Sequence, residues 1–462
     1  MKIVLISPKG PLYRHRGGIF RKSLRYAPLT LTTLAALVPD ELEADITLID
    51  EGVEDIPDDL EADLVGMTVI TGSAMRAYEL ADRFRARGIT VVLGGPHVTL
   101  MPHEAARHAD AIVTGYAENT WPRLLRDFAG GRMRPRYDQE PDFDLSRPVF
   151  PRRDLLDSRK FLTMNVFEAT RACIHGCEFC VVPSAWGRKP FQKPVAHVVE
   201  DIRRQGARKL IFIDLNLIAD PEYAEELFSA LIPLNVRWFG LSTTLIGRMP
   251  ELLALMAKSG CTGLLLGLES ISRRNLRQTR KSFNAPQNYG ELIEKLHAKS
   301  ISVMGCFVFG LDDDTPDVFE RTAQFAIDAA IDLPRYAIVT PFPGTPLFAR
   351  MEREGRILTR NWELYDGQHV VFQPKNMSVE ELAAGHELAW KRTYRYGAIM
   401  RRLWRSRIQI PLSIAANLGY RYYAHHLHDY YNCDWFIGQD GPARQPPRRA
   451  APARANAAEP AE

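Results

Sequence analysis

The run Glu168-Ala169-Thr170-Arg171-Ala172-Cys173-Ile174-His175-Gly176-Cys177-Glu178-Phe179-Cys180 decides how the rest of this chain is read. It sets Cys173, Cys177 and Cys180 at C-x3-C-x2-C spacing, with an aromatic residue just before the last cysteine. Three thiolates this close can each ligate one iron of a 4Fe-4S cube and leave the fourth iron without a protein ligand. An open iron is a place for chemistry, as the open position of a catalytic zinc is. A fourth cysteine nearby would favour structural zinc. The remaining three, Cys261, Cys306 and Cys433, are all distant in sequence. The plainer alternatives are a partial zinc site or three buried free thiols.

Downstream of this run, apolar segments alternate with helix-like stretches. Strands are expected over 161–168, 209–215, 236–243, 263–269, 301–310 and 335–341, with helices between them at 196–205, 221–231, 251–258 and 316–330. Six such units match a partial (β/α)6 barrel of TIM type, in which chemistry sits at the carboxyl ends of the strands. The cysteine run follows the first strand, as that rule requires.

Upstream, five short apolar runs at 2–7, 44–50, 64–70, 90–95 and 111–116 alternate with helix-like stretches such as 74–87 and 118–128. Uncharged strands alternating with helices argue for a doubly wound parallel sheet of flavodoxin or Rossmann type. Ligands of such sheets bind beyond the carboxyl strand ends. Those ends carry Thr71-Gly72-Ser73, Gly94-Gly95-Pro96-His97 and Gly115-Tyr116-Ala117-Glu118. Glycines there let a bulky ligand approach the backbone.

The expected organisation is an α/β domain over 1–135, a Pro- and charge-rich linker over 136–160, the barrel over 161–350, a helical extension over 351–436 and a disordered tail over 437–462. With 46% hydrophobic and 25% charged residues the composition is that of a globular chain. A net charge of +3 gives no reason to expect a nucleic-acid partner. The first residues read as a strand rather than as a signal peptide, and no stretch has the roughly 18 apolar residues of a membrane span. A reduced, cytoplasmic location is therefore expected.

The cysteine run resembles the signature of the radical S-adenosylmethionine (SAM) superfamily, with Ala172 standing where that signature usually has glycine. An α/β domain with Gly-Gly-Pro-His after its fourth strand, placed before such a core, resembles the cobalamin-dependent radical SAM family over about residues 1–380. The resemblance implies an enzyme, methyltransferase-like, with three cofactors: a 4Fe-4S cluster on Cys173, Cys177 and Cys180, SAM, and cobalamin. One SAM would methylate reduced cobalamin. A second, cleaved at the cluster, would give a 5′-deoxyadenosyl radical that activates an unactivated carbon of a small-molecule or lipid-like substrate. Ring closure, oxidation or rearrangement without methyl transfer is the alternative within the family, and a cobalamin- or SAM-sensing protein the alternative outside it. An electron donor such as flavodoxin or ferredoxin is implied as a partner.

By the same resemblance, SAM would meet Phe179, Asp214, Asn216, Ser242, Thr243, Glu269 and Gly310 at the strand ends. Leu215 interrupts the acidic pair that relatives often carry before the asparagine. Thr71, Ser73, Gly94, Gly95, His97, Gly115 and Glu118 would hold the cobalamin nucleotide tail. Many cobalamin domains ligate the metal through D-x-H-x-x-G, and here Tyr13 replaces the aspartate before His15. Without that carboxylate to orient and activate the imidazole, His15 reads as a solvated or phosphate-facing residue.

The last third differs. Ser378 and Glu381 form a capping-box pattern. A basic, aromatic stretch follows, with Arg392, Arg395, Arg401, Arg402, Arg405 and Arg407 among Trp390, Tyr394, Trp404 and Tyr420. Two readings stand: a helical cap on the barrel with solvated arginines, or a basic amphipathic surface that meets membrane or a lipophilic substrate.

Overall fold

Two parallel six-stranded sheets follow one another along the chain. The computed structural model describes residues 1–10 and 25–427; His15 and its loop, and the tail beyond 427 with Cys433, lie outside the described residues. The first sheet comprises β1 (Lys2–Ser7), β2 (Asp45–Asp50), β3 (Leu64–Thr68), β4 (Thr90–Gly94), β5 (Ala111–Thr114) and β6 (Arg136–Asp138). Their order is β2-β1-β3-β4-β5-β6 and every pairing is parallel. These strands are uncharged inside because helices cover both faces, which leaves no side of the sheet wet. The order reverses between β1 and β3, and that switch point opens the crevice where doubly wound sheets bind ligands.

β6 falls inside the expected linker and corrects it. Tyr137, Phe143 and Leu145 are all buried, so this segment is packed rather than free. A three-residue edge strand is too short to produce a periodic signal, which is why the sequence reads as a connection.

The second sheet comprises β7 (Val166–Phe167), β10 (Lys209–Phe212), β11 (Arg237–Ser242), β12 (Cys261–Glu269), β13 (Ser302–Phe309) and β14 (Arg335–Ile338), in the order β14-β13-β12-β11-β10-β7. This is the open, partial barrel that the alternation implies, although its first strand is far shorter than expected. After β7, the pair β8 (Thr170–Arg171) and β9 (Phe191–Gln192) runs antiparallel and closes the cysteine loop at its base.

Beyond the barrel the chain does not simply cap it. Trp362, Leu364, Tyr365 and Val371 join the hydrophobic core of the first domain. Trp362 is 4% exposed, donates its indole N–H to Glu104 Oε1 at 2.9 Å and meets the His97 ring edge-on at 5.8 Å. The helices Val379–Thr393, with the capping box in place, Tyr396–Ser406 and Ile410–His425 then return to the barrel. No described helix is long and apolar enough to cross a membrane.

Because Trp362 ties the segment after the barrel into the core of the first domain, Trp362→Ala should remove about 3–5 kcal/mol of stability, as large-to-small core changes do. Thermal unfolding and limited proteolysis should show the first domain loosening before the barrel. Melting unchanged from wild type would refute this coupling.

Candidate active site

The cysteine loop is an excursion between β8 and β9, clamped on two sides. On one side the Glu178 amide donates to the Thr279 carbonyl. On the other, the Glu178 carboxylate accepts from Arg350 Nε at 2.7 Å, Arg350 also pairs with Asp312 at 2.6 Å, and Asp312 accepts from Arg356. Ala172 enters the loop with φ 64°, left-handed backbone that costs a non-glycine residue about 1 kcal/mol. That conformation explains why a glycine would be at home there.

Burial raises the Cys177 thiol above its ordinary value and pushes Cys180 up to about 11. Both therefore need cationic company to become thiolates, which is what iron ligation supplies. Among the described residues no three His, Cys, Asp or Glu side chains converge on a single-ion site. A cube does not ask for that, because each thiolate meets a different iron.

Glu269, at the end of β12, has φ 62° and follows a register shift against β13. Its Oε1 lies 2.6 Å from Lys281 Nζ, with both side chains nearly enclosed. Burial works against the lysine charge, but Glu269 and then Cys177 more than offset it and raise the Lys281 pKa. The partner of Glu269 is thus a lysine that also stands near the thiols. Ser242 and Thr243 are buried at the end of β11, and Thr243 Oγ1 has no hydrogen-bond partner. Phe179 packs on the barrel core.

Three of the residues expected at SAM serve the scaffold. Asp214 Oδ1 accepts from the Ala169 amide at 2.9 Å and from the Thr170 amide, stapling β10 to the start of the cysteine loop. Asn216 is 1% exposed and accepts from the Ile218 amide. The Gly310 amide donates to Asp314 Oδ2 at 3.0 Å, which shapes the turn after β13. Burial and then Glu168 push Asp214 up to about 7.

Between the two domains lies a cavity of about 380 Å³. Gly94, Gly95, Gly115 and Glu118 line it, as expected of a ligand site at those strand ends. Gly95 has φ 101°, and a Cβ there would stand 2.8 Å from the Val69 amide nitrogen. Thr71, Ser73 and His97 do not line the cavity. His97 is fully buried behind the loop, with Nδ1 3.2 Å from Thr71 Oγ1 and Nε2 3.3 Å from Glu104 Oε1. The Ser73 hydroxyl donates to the Ile70 carbonyl. A polar loop residue and a polar packing residue look alike in sequence.

Family signatures match in the same order as these parts: a B12 binding domain at 24–125, the radical SAM superfamily at 167–326 and a domain of unknown function at 345–438. The chain is 32% identical over 388 residues to bacteriochlorophyllide d C-12(1)-methyltransferase of Chlorobaculum tepidum, covering 81% of this chain and 84% of that one. The chain belongs to the cobalamin-dependent radical SAM methyltransferase family. The C-8(2)-methyltransferase of the same organism is also 32% identical, over 75% of this chain and 80% of its own length. Among solved structures, the cobalamin-dependent SAM radical enzyme OxsB aligns with a TM-score of 0.65 at 13% identity, over 95% of this chain and 73% of its own. That likeness bears on the fold.

The cofactors of this radical SAM enzyme are accordingly a 4Fe-4S cluster, SAM and cobalamin, and the residues fit them. Three thiols sit on one clamped loop, and the unpartnered Thr243 hydroxyl faces the ligand end of the barrel. The inter-domain cavity is apolar, floored by glycines and open to the cysteine loop through Ala172 and Trp186. Ile213 and Leu215, which the sequence reading did not assign to cobalamin, project into it from beyond β10 and are 37% and 41% exposed. Their i, i+2 spacing at a strand end was the available signal, masked by attention to the missing acidic residue. Arg171 was missed as well. It bonds Glu168 at 2.8 Å and Glu118, and lies over the Tyr116 ring at 5.0 Å, joining the two domains across the cavity wall.

Asp214 gives a pH prediction. Its folded pKa is raised from 3.8 to about 7, so its contribution to stability is complete below the ordinary carboxyl value and is lost as pH rises through 7. At full ionisation the cost is at most about 4 kcal/mol. Asp214→Asn keeps an acceptor for both amides and removes the charge. Melting of the metal-free protein should fall between about pH 4 and 7 in wild type and level off above that, and the fall should be shallower in the variant, where Asp314, also raised to about 7, still titrates. Parallel curves would refute the assignment.

Proposed function

We propose that this enzyme transfers a methyl group to an unactivated carbon of a lipophilic tetrapyrrole of the chlorin type. The observation that carries the reading is the 32% identity with a bacteriochlorophyllide methyltransferase across 84% of that protein's length. When bound, the cluster supplies the electron that cleaves SAM, and cobalamin carries the methyl group. The chain's own residues do the rest. Cys173, Cys177 and Cys180 hold the cluster, and the Glu178–Arg350 clamp fixes their loop. Glu269, Ser242 and Thr243 orient SAM at the barrel mouth. Gly94, Gly95 and Gly115 admit cobalamin, while Ile213 and Leu215 keep water from its barrel-facing side. On the outer side of the loop, Cys177 borders a recess with Arg188 and Arg280, which suits an acidic electron donor such as flavodoxin or ferredoxin.

The test is an anaerobic assay of the reconstituted protein with chlorin substrates and SAM carrying a CD3 methyl group. The expected product has one CD3 in place of a hydrogen. Loss of two hydrogens without label would replace methyl transfer by ring closure, and absence of any SAM cleavage would remove the enzyme assignment. Cys177→Ala should lose bound iron and SAM cleavage together. Leu215→Glu places a carboxylate on the apolar cavity wall and should weaken retention of hydroxocobalamin about tenfold or more, with bound iron unchanged. Full retention by that variant would move cobalamin out of the cavity.

A further inference from the structure

The two last described helices have opposite faces with opposite roles. Their inner faces cap the barrel: Tyr420 stacks on Trp390 and Tyr394 at the end of the preceding helix, Tyr423 meets Trp390 edge-on, and the Tyr394 hydroxyl donates to the Pro334 carbonyl. Arg402 belongs to this inner set. It is 0% exposed, and its guanidinium donates to the carbonyls of Ile331, Asp332 and Thr393 and to Asn417 Oδ1. A solvated or lipid-facing role for Arg402 is thereby corrected: three carbonyls and an amide oxygen replace its water.

The outer faces are another matter. Along the helix Tyr396–Ser406, Tyr396, Met400 and Trp404 recur every four residues and are 63%, 60% and 71% exposed. On the helix Ile410–His425, Leu412 is 65% exposed, and Ile414 and Leu418 are exposed beside it. The 13 residues from Ile408 to Tyr420 contain no charge. Large apolar side chains in such a continuous exposed array mark a surface that something covers.

Charge selects the occupant. No Asp or Glu occurs between Glu387 and Asp429, whereas Lys and Arg occur there eight times. The cations flank the apolar stripe: Arg407 lies 5.3 Å from the centre of the Trp404 ring and Arg421 lies 3.9 Å from that of Tyr396. Arg395 and Arg405 are exposed beside them. Lys391, Arg392 and Arg401 pair with Glu387, Glu320 and Asp328 away from the stripe, but Arg395, Arg405 and Arg407 rim it, and a second copy of the chain would oppose arginine with arginine there. A bilayer with anionic headgroups offers what the face lacks, an apolar layer for Trp404, Met400 and Leu412 beneath negative charge for the arginines. Tryptophan and tyrosine with basic neighbours are the residues that settle at such an interface.

We propose that the outer face of Tyr396–Ser406 and Ile410–His425 docks this enzyme on anionic phospholipid bilayers as a peripheral, non-spanning anchor. The inference is independent of the substrate, since it uses no residue of the active site. The full-length protein should be floated with phosphatidylcholine vesicles, with and without phosphatidylglycerol. Wild type should bind the phosphatidylglycerol vesicles at low salt at least about tenfold better than pure phosphatidylcholine, and high salt should weaken that binding. Trp404→Ser with Leu412→Ser should abolish flotation even at low salt. Arg395→Gln with Arg407→Gln should remove the lipid preference. Melting temperature and SAM cleavage, measured alongside, should match wild type in both variants, because the altered side chains face outward. Absence of wild-type flotation would overturn the proposal. Flotation unchanged in the Trp404/Leu412 variant would also overturn it. So would sedimentation showing a dimer that the same variant dissolves, which would make the face a self-interface.

Discussion

Arg171 is the group on which the arrangement of the two domains turns. It sits two residues before the first cluster cysteine, pairs with Glu168 of its own loop and Glu118 of the first domain, and lies over Tyr116. Lys193 reaches the same Glu168 at 3.1 Å. Tyr116 in turn stacks on Trp186 at 5.4 Å and meets Phe143 and Phe191. Charges this enclosed are tolerable only when paired, and removing one partner from such a set costs several kcal/mol. The set therefore fixes the distance between the strand-end loops of the first domain and the cysteine loop, and the cavity between the domains is the space it leaves.

A second set of ions does for the cluster loop what Arg171 does for the domains. Glu178, between the second and third cysteines, is held by Arg350, and Arg350 by Asp312, whose other oxygen takes Arg356. Inside the barrel, Lys281 pairs with Glu269 and stands beside the thiols. Ala172 and Glu269 both occupy left-handed backbone. Strain of this kind persists where surrounding contacts over-determine it, and here it lies at the entry to the cysteine loop and at the end of β12.

The C-terminal segment shows one stretch of sequence serving two environments. Its aromatic residues alternate between a stacked inner layer and an exposed outer stripe, because a helix turns successive residues through about 100°. The arginines divide in the same way: Arg402 is satisfied by carbonyls inside, while Arg395 and Arg407 remain outside. Residues 357–372 do a third job, closing the chain back on the first domain through Trp362.

The sequence by itself determined the fold class, the order of the two parallel sheets and the place of the three-cysteine loop after the first barrel strand. Those rest on local quantities: uncharged strands of a few residues, helices between them, and three cysteines within eight positions. It also located the glycine-rich cavity floor at Gly94, Gly95 and Gly115, since glycine at a strand end is a local signal. Only the tertiary structure decided which of these residues line the inter-domain cavity and what each polar side chain bonds. His97, Thr71 and Asp214 have the composition of site residues, yet each bonds to backbone or side chains of another loop, which no spacing records. The same holds for Lys281 beside Glu269, Arg171 between the domains and Arg402 inside the cap. A side chain's partner on another element is set by how sheets and helices pack, and burial, which decides between a charge in water and a charge in a pair, exists only once they have.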